Sequence, residues 1–410
     1  MTDDASLEMT DDASLEATFE REARTIARAI RETGVELPNG TTARAGFISV
    51  DDELQIKVRN GLYSGQLGIA VYFAAMYAVL GDEEYERFAR SVVTPLLEAS
   101  VDELLDEPYI GVGSGVGSTV YGLTLLAQLT GDQRYEDRAG DVVDALSAST
   151  IVEDEQYDIL LGTAGTLTGL LAYYERSEDP KALERATTCG KYLLENRYEK
   201  WNAYHIWDTS MVNDALSTST GMGHGVSGIV SALYRLYGHT EREAFREAAD
   251  DALAFENLFY SEYQRNWKAN FSGVEHYTDR WCSGRVGIGL ARLTSLESHS
   301  IEPIERDLRR AEQGLDPALM ASDSLCHGTF GQVDFLVELG RRGDETALER
   351  ARTLAATAIE RKRETGHYSV ANEQFDGISN PVLFLGTAGI GYELLRLLEP
   401  ESIPSVLRFE

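Results

Sequence analysis

Few residues of this chain could do chemistry, and the scarcest are the three cysteines at 189, 282 and 326, in 410 residues that also hold seven histidines. Cys326 and His327 are adjacent in SLCHG (324–328), and Cys282 follows a tryptophan in RWCSG (280–284). Two thiolates and one imidazole are soft-to-borderline ligands of the kind zinc takes. Structural zinc normally has four protein ligands, so three with an open position describe a catalytic centre. Three cysteines in so long a chain make no disulfide framework. In a reducing compartment, metal binding or catalysis is the special use left to them. Cys189 stands on a charged amphipathic stretch and reads as a small buried hydrophobe. His224 in GMGHG and Asp158 in YDILLG complete the set. An imidazole exchanges protons near neutral pH, and an acid entering an apolar run costs free energy unless it is paired or used. His205, His239, His276, His299 and His367 lie in loop-like or charged contexts and read as surface residues.

A repeat positions these residues. Seven segments share a glycine-rich start and an apolar run: GLYSGQLGIAVYF (61–73), GSGVGSTVYGL (113–123), ILLGTAGTLTGLL (159–171), GMGHGVSGIVSAL (221–233), RWCSGRVGIGLARL (280–293), SLCHGTFGQVDFL (324–336) and VLFLGTAGIGYELL (382–395). Six carry Gly-x-x-Gly, and the second is read with Ser114 and Gly117 in the two glycine places. The second glycines recur roughly every 50–60 residues. The uncharged runs predict helices buried on most faces. Between them lie charged stretches such as DEEYERFARSVVTPLLEA and DETALERARTLAATAIERKR, with apolar residues at helical spacing. Counting ATFEREARTIARAIRETG near the N-terminus, there are seven outer stretches for seven inner ones. The closed solution is all-α, an (α/α)7 toroid of seven inner and seven outer helices, in a single domain over residues 17–410. Residues 1–16, an acidic octad in tandem, read as a disordered tail.

In such a toroid every glycine turn lies at one end, around the axis. Cys282 and Cys326 then hold equivalent places in adjacent repeats, with His327 beside them. His224 holds the place of His327, two repeats earlier. The glycines themselves read as architecture. A formal G-x-G-x-x-G at Gly223, Gly225 and Gly228 has no strand before it, which excludes a dinucleotide site. The aromatic stretches WNAYHIWD (201–208) and YSEYQRNWKANF (260–271) either line a peptide-binding mouth or pack long loops.

The net charge is −31, with 68 acids against 37 bases, only six of them lysine. A field of that sign repels nucleic acid and anionic membranes, and an acid excess spread along the chain suits a halophilic cytoplasm. No apolar run approaches the ~20 residues of a membrane span. The N-terminus lacks the basic start and apolar stretch of a secretory signal, so the expectation is cytoplasmic.

Taken together, Trp281-Cys282-Ser283-Gly284, Cys326-His327-Gly328, Gly223-His224-Gly225 and the closing LGTAGIGYELLRL resemble the lanthionine synthetase C-like family, and most closely the cyclase half of class II lanthipeptide synthetases. The resemblance runs from about residue 15 to about residue 398. It implies zinc held by Cys282, Cys326 and His327, an active-site histidine at His224 and an active-site aspartate at Asp158. Some members use an arginine upstream of the tryptophan, and Arg280 stands near that place. Where Ser283 stands, members often have a basic or aromatic residue. The implied activity is Michael-type addition of peptide cysteine thiols to dehydroalanine or dehydrobutyrine, closing thioether rings in a lanthipeptide precursor. The implied partners are a dehydrated precursor peptide and a separate dehydratase, since the chain has no room for the large dehydratase region of a full class II enzyme. Three alternatives stand beside this one. They are addition of glutathione or another small thiol to dehydrated residues, a non-catalytic zinc-binding α-toroid scaffold, and an α/α-barrel glycoside hydrolase, against which the Cys-Cys-His register argues.

Overall fold

Each glycine-rich segment opens a buried helix in the computed structural model, which describes residues 12–36, 42–50, 53–200, 203–209, 219–269, 276–370, 377 and 379–410. Along the chain α1 (Asp12–Glu32) precedes α2 (Gln66–Leu80), α3 (Glu83–Glu98) and the short α4 (Val101–Leu105). Then come α5 (Val116–Thr130), α6 (Gln133–Ala145), the short α7 (Ala148–Val152), α8 (Thr163–Ser177) and α9 (Pro180–Glu195). Next are α10 (Val226–Thr240), α11 (Glu243–Asn257), α12 (Arg285–Ser298) and α13 (Glu302–Gly314). The order ends with α14 (Thr329–Arg341), α15 (Glu345–Thr365) and α16 (Thr387–Leu398). Strand structure is confined, among the described residues, to four two-stranded antiparallel hairpins between helices.

The uncharged helices α2, α5, α8, α10, α12, α14 and α16 pack side by side in that order, and α16 returns to α2 to close the circle. Each is backed by one charged helix: α3, α6, α9, α11, α13 and α15 by their preceding inner partners, and α1 by α16. This is the expected all-α toroid of seven inner and seven outer helices. The inner-to-outer turns are short because the chain supplies caps. Gly81 and Gly131 end α2 and α5 in the left-handed region, and Asp82 and Asp132 then accept amides of the next helix.

The opposite turns, ahead of the inner helices, build the axis. Two residues before each helix-capping glycine stand Tyr63, Gly113, Leu160, Gly223, Cys282, Cys326 and Phe384. Backbone amides run head to tail through them: Tyr63 donates to Gly113 (3.1 Å), Gly113 to Leu160 (2.9 Å), Leu160 to Gly223 (3.3 Å) and Gly223 to Cys282 (3.2 Å). Cys326 donates to Phe384 (3.0 Å) and Phe384 to Tyr63 (3.1 Å), while the link from the fifth turn to Cys326 comes from Trp281 (3.0 Å). The result is a closed ring of backbone hydrogen bonds around the axis. It satisfies amides that no helix could serve.

This ring corrects the register of the second repeat. Gly115, not Ser114, caps α5, and Ser118, not Gly117, stands where the second glycine belongs. Gly115 has φ +95°, and a Cβ there would lie 1.7 Å from the Tyr109 carbonyl oxygen, so only glycine fits. Gly117 serves the contact between α5 and α8, since its Cβ would meet the Gly165 carbonyl oxygen at 2.7 Å.

The N-terminal boundary also differs from expectation. Helix α1 begins at Asp12, inside the 1–16 tail, because Leu15 already packs against the core beside Phe19. Residues 1–11 lie outside the described residues. At the far end of the toroid the last residues enter the lumen: Ile403, Val406, Leu407 and Phe409 are all buried. The Leu407 carbonyl accepts Trp281 Nε1 at 2.9 Å, and the Phe409 ring lies 6.0 Å from Trp281 and 5.5 Å from Tyr121.

Candidate metal centre and proton-transfer pair

Cys282 and Cys326 are neighbours on the ring, and His327 follows Cys326. Their two sulfurs and the imidazole nitrogen all lie within 4.8 Å of one another, the only such group of cysteine, histidine and acidic side chains among the described residues. The turns that carry them are fixed by backbone. The Thr329 amide reaches back to the Ser322 carbonyl (2.9 Å) and the Gly287 amide to that of Arg280 (3.4 Å). Gly223 lets the neighbouring turn approach, since a Cβ there would sit 3.0 Å from Cys282 Cβ.

Cys326 is buried and Cys282 partly so. A hydrogen bond from Cys326, with His327 nearby, holds the Cys282 thiol well below its usual range despite burial. Burial and the charge on Cys282 push Cys326 the other way. A divalent cation bound by both sulfurs would displace the protons between them. Two sulfurs and one ring nitrogen, with bonds of ~2.0–2.3 Å to a common centre, fit zinc with a position left over. Cys282 and Cys326 each stand two residues before the N-cap glycine of α12 or α14, at the positive end of a helix, which favours anionic sulfur.

His224 stands on the turn before α10, and its Nδ1 lies 2.8 Å from Asp158 Oδ2. Asp158 is fully buried, and its Oδ1 accepts the Leu161 amide at 2.7 Å. An ionised carboxylate only accepts, so the imidazole proton sits on Nδ1 and Nε2 is left as the exchanging nitrogen. Burial alone would lower the His224 pKa, but the Asp158 charge and hydrogen bond outweigh it and the net shift is upward. The turn is held from outside by Glu256 of α11, whose Oε1 accepts the Gly221 amide (3.2 Å) and Oε2 the Ser227 hydroxyl (2.6 Å). Glu256 is itself paired with fully buried Arg292 at 2.6 Å.

The structure thus gathers Cys282, Cys326 and His327 into one cluster and His224 with Asp158 into a pair. Arg280 is exposed, and its guanidinium has no hydrogen-bond partner among the described residues. Cys189 is buried and free. Trp207 and Trp267 are fully buried, the former donating to the Leu193 carbonyl, so these parts of the two aromatic stretches pack loops. Residues 201, 202, 270 and 271 of those stretches lie outside the described residues.

Two residues escaped sequence reasoning. Glu256 sits on an outer helix with nothing to mark it among many acids. Tyr63, at the ring position of the first repeat, donates its hydroxyl to Cys326 Sγ at 3.0 Å. Burial and the two sulfurs keep that phenol protonated, well above its usual range. The tyrosine was visible in the register of the repeats, but its partner lies 263 residues away.

The family model of lanthionine synthetase C-like proteins matches residues 57–408. Among solved structures, nisin cyclase is similar with a TM-score of 0.67 at 15% identity, over 96% of this chain and 97% of that one. A sugar epimerase from a ruminal bacterium gives 0.49 at 14% identity, over 94% and 99%. No curated protein sequence matches the chain.

Proposed function

Since the chain belongs to the lanthionine synthetase C-like family, we propose that it is a zinc-dependent thioether-forming cyclase acting on a dehydrated peptide. A peptide cysteine thiol adds across the carbon–carbon double bond of dehydroalanine or dehydrobutyrine. Sulfur bonds to the β-carbon, the thiol proton ends on the α-carbon, and no mass is gained or lost. The observation that carries this reading is the cluster of Cys282, Cys326 and His327, with donor atoms within 4.8 Å, on the same ring of turns as the His224–Asp158 pair.

Zinc bound by those three residues would supply a Lewis acid that makes a thiol, of ordinary pKa ~8.5, a thiolate at neutral pH. His224 Nε2 receives the thiol proton and delivers it to the α-carbon of the enolate that the addition creates. Asp158 fixes the ring orientation and the tautomer, and balances the imidazolium between the two transfers. Arg280, exposed beside the Trp281-Cys282 turn, is a candidate for substrate contact rather than proton transfer. The dehydrated residues must come from a prior dehydration of serine or threonine, so a dehydratase is the partner reaction. Among the described residues no helix is long and apolar enough to cross a membrane.

The test is metal analysis of the purified protein together with a synthetic peptide bearing one cysteine and one dehydroalanine. Wild type is expected to hold about one zinc per chain and to abolish the peptide's maleimide-reactive thiol at unchanged mass. Cys326→Ala should lose both properties. A zinc-free wild type overturns the reading.

A further inference from the structure

The two sulfurs of the cluster are not equivalent. Cys326 is fully buried and receives the Tyr63 hydroxyl at 3.0 Å. Cys282 is partly exposed, and the Ser283 hydroxyl oxygen lies 3.9 Å from its sulfur. Tyr63 has little freedom to be elsewhere. Its amide and carbonyl are links of the axial ring, and its own ring stacks on Phe384 at 4.9 Å. The hydroxyl is thus delivered to one sulfur by backbone on one side and an aromatic plane on the other.

We propose that Tyr63 is a positioning residue for the metal, its O–H donating to Cys326 Sγ so that this sulfur serves as a ligand and not as a nucleophile. This inference rests on the metal reading above. The reaction proposed there needs one reactive sulfur, the substrate's, in a centre that already holds two from the protein. A hydrogen bond draws electron density from the sulfur that accepts it, as the outer partners of metal ligands do generally. It also fixes the direction of the Cys326 side chain before metal arrives. Cys282 is not held in this way, and its partial exposure puts it on the side from which a substrate thiol would enter.

The experiment compares wild type, Tyr63→Phe and Tyr121→Phe loaded with Co(II) as a spectroscopic stand-in for zinc. Tyr63→Phe removes one oxygen and keeps the ring against Phe384, and melting curves verify that each variant is folded. Tyr121 is the control, a buried tyrosine whose hydroxyl has no hydrogen-bond partner among the described residues. The expected result for Tyr63→Phe is roughly 10–100-fold weaker metal binding in competition with a chelator. Its sulfur-to-cobalt charge-transfer band should also move to longer wavelength, while Tyr121→Phe matches wild type. Unchanged affinity and band in Tyr63→Phe overturn the role of Tyr63 and leave the metal reading standing. A wild type that binds no cobalt overturns both.

Discussion

Asp158 and His224 are 66 residues apart in the chain, and their contact decides which nitrogen of the imidazole can work. In Asp158→Asn the amide oxygen can still accept the Leu161 amide, which turns its NH2 toward Nδ1. The histidine then carries its proton on Nε2, the nitrogen that the proposed mechanism needs free to receive one. The rate of ring closure should fall roughly 10²–10⁴-fold, the usual weight of general acid–base catalysis. The same change should move the His224 pKa, read from its imidazole resonances, from above its ordinary value to below it. Burial is the largest influence on that group, and once the Asp158 charge is gone only the smaller effect of the Cys282 charge opposes it. Stability follows with a definite sign. A raised folded pKa stabilises fully below the unfolded value of ~6.5 and loses that effect as pH rises through the folded value. The advantage of wild type over Asp158→Asn in urea melts should accordingly shrink on going from mildly acid to alkaline pH. A His224 pKa unmoved by the substitution would remove the charge-balancing role. Asp158 was legible because an acid in YDILLG is out of place. Tyr63 was not, since a tyrosine in an apolar run reads as core until its hydroxyl is seen to face a sulfur.

The glycine turn of His224 is held by an outer helix. Glu256 of α11 binds the Gly221 amide, the Ser227 hydroxyl and Arg292, and Arg292 also meets Asp307 at 3.2 Å. All three charged groups are fully buried. Removing one partner of a buried pair costs about 3–5 kcal/mol, and the Asp307 that stays puts Glu256→Ala near the low end. The expected outcome is a loss of about 3 kcal/mol in chemical denaturation, with a raised KM or lowered kcat as the His224 turn loosens. A loss under about 1 kcal/mol would mean the network is open to water and holds nothing in place. Such networks are silent in sequence, because a buried glutamate and an exposed one look alike among 68 acids. The helices were legible for the opposite reason. Uncharged runs alternate with amphipathic ones, and that contrast survives from chain to fold. Where one glycine serves a turn and another an interhelix contact two residues later, as with Gly115 and Gly117, the pattern alone favours the wrong one.

At the scale of the whole molecule, the axial ring fixes one end of the lumen and the C-terminal segment fills the other. Trp281 joins them: its amide is a ring link and its indole donates to Leu407. The aromatic side chains of Trp281, Phe384 and Phe409 pack on one another, with centroids 5.2–6.4 Å apart, and tie the ring to the C-terminal segment. Around this closed core lies a surface that repels itself. With 68 acids and 37 bases, pairing every base with an acid would still leave 31 acids unmatched. Exposed pairs such as Arg87–Glu83 and Lys181–Asp144 contribute ~0–1 kcal/mol each, so the salt that weakens them forfeits little. The same salt shortens the screening length from ~8 Å at 0.15 M to ~3 Å at 1 M and removes most of the repulsion among the unmatched acids. The second effect wins, and the melting temperature should rise steadily with potassium chloride over that range. The His224–Asp158 and Arg292–Glu256 contacts are buried and screened far less, so ring-closing activity per folded molecule should change much less than stability does. A melting temperature that falls or stays flat with salt would show that the surface pairs outweigh the excess charge, and would remove the case for a high-salt cytoplasm.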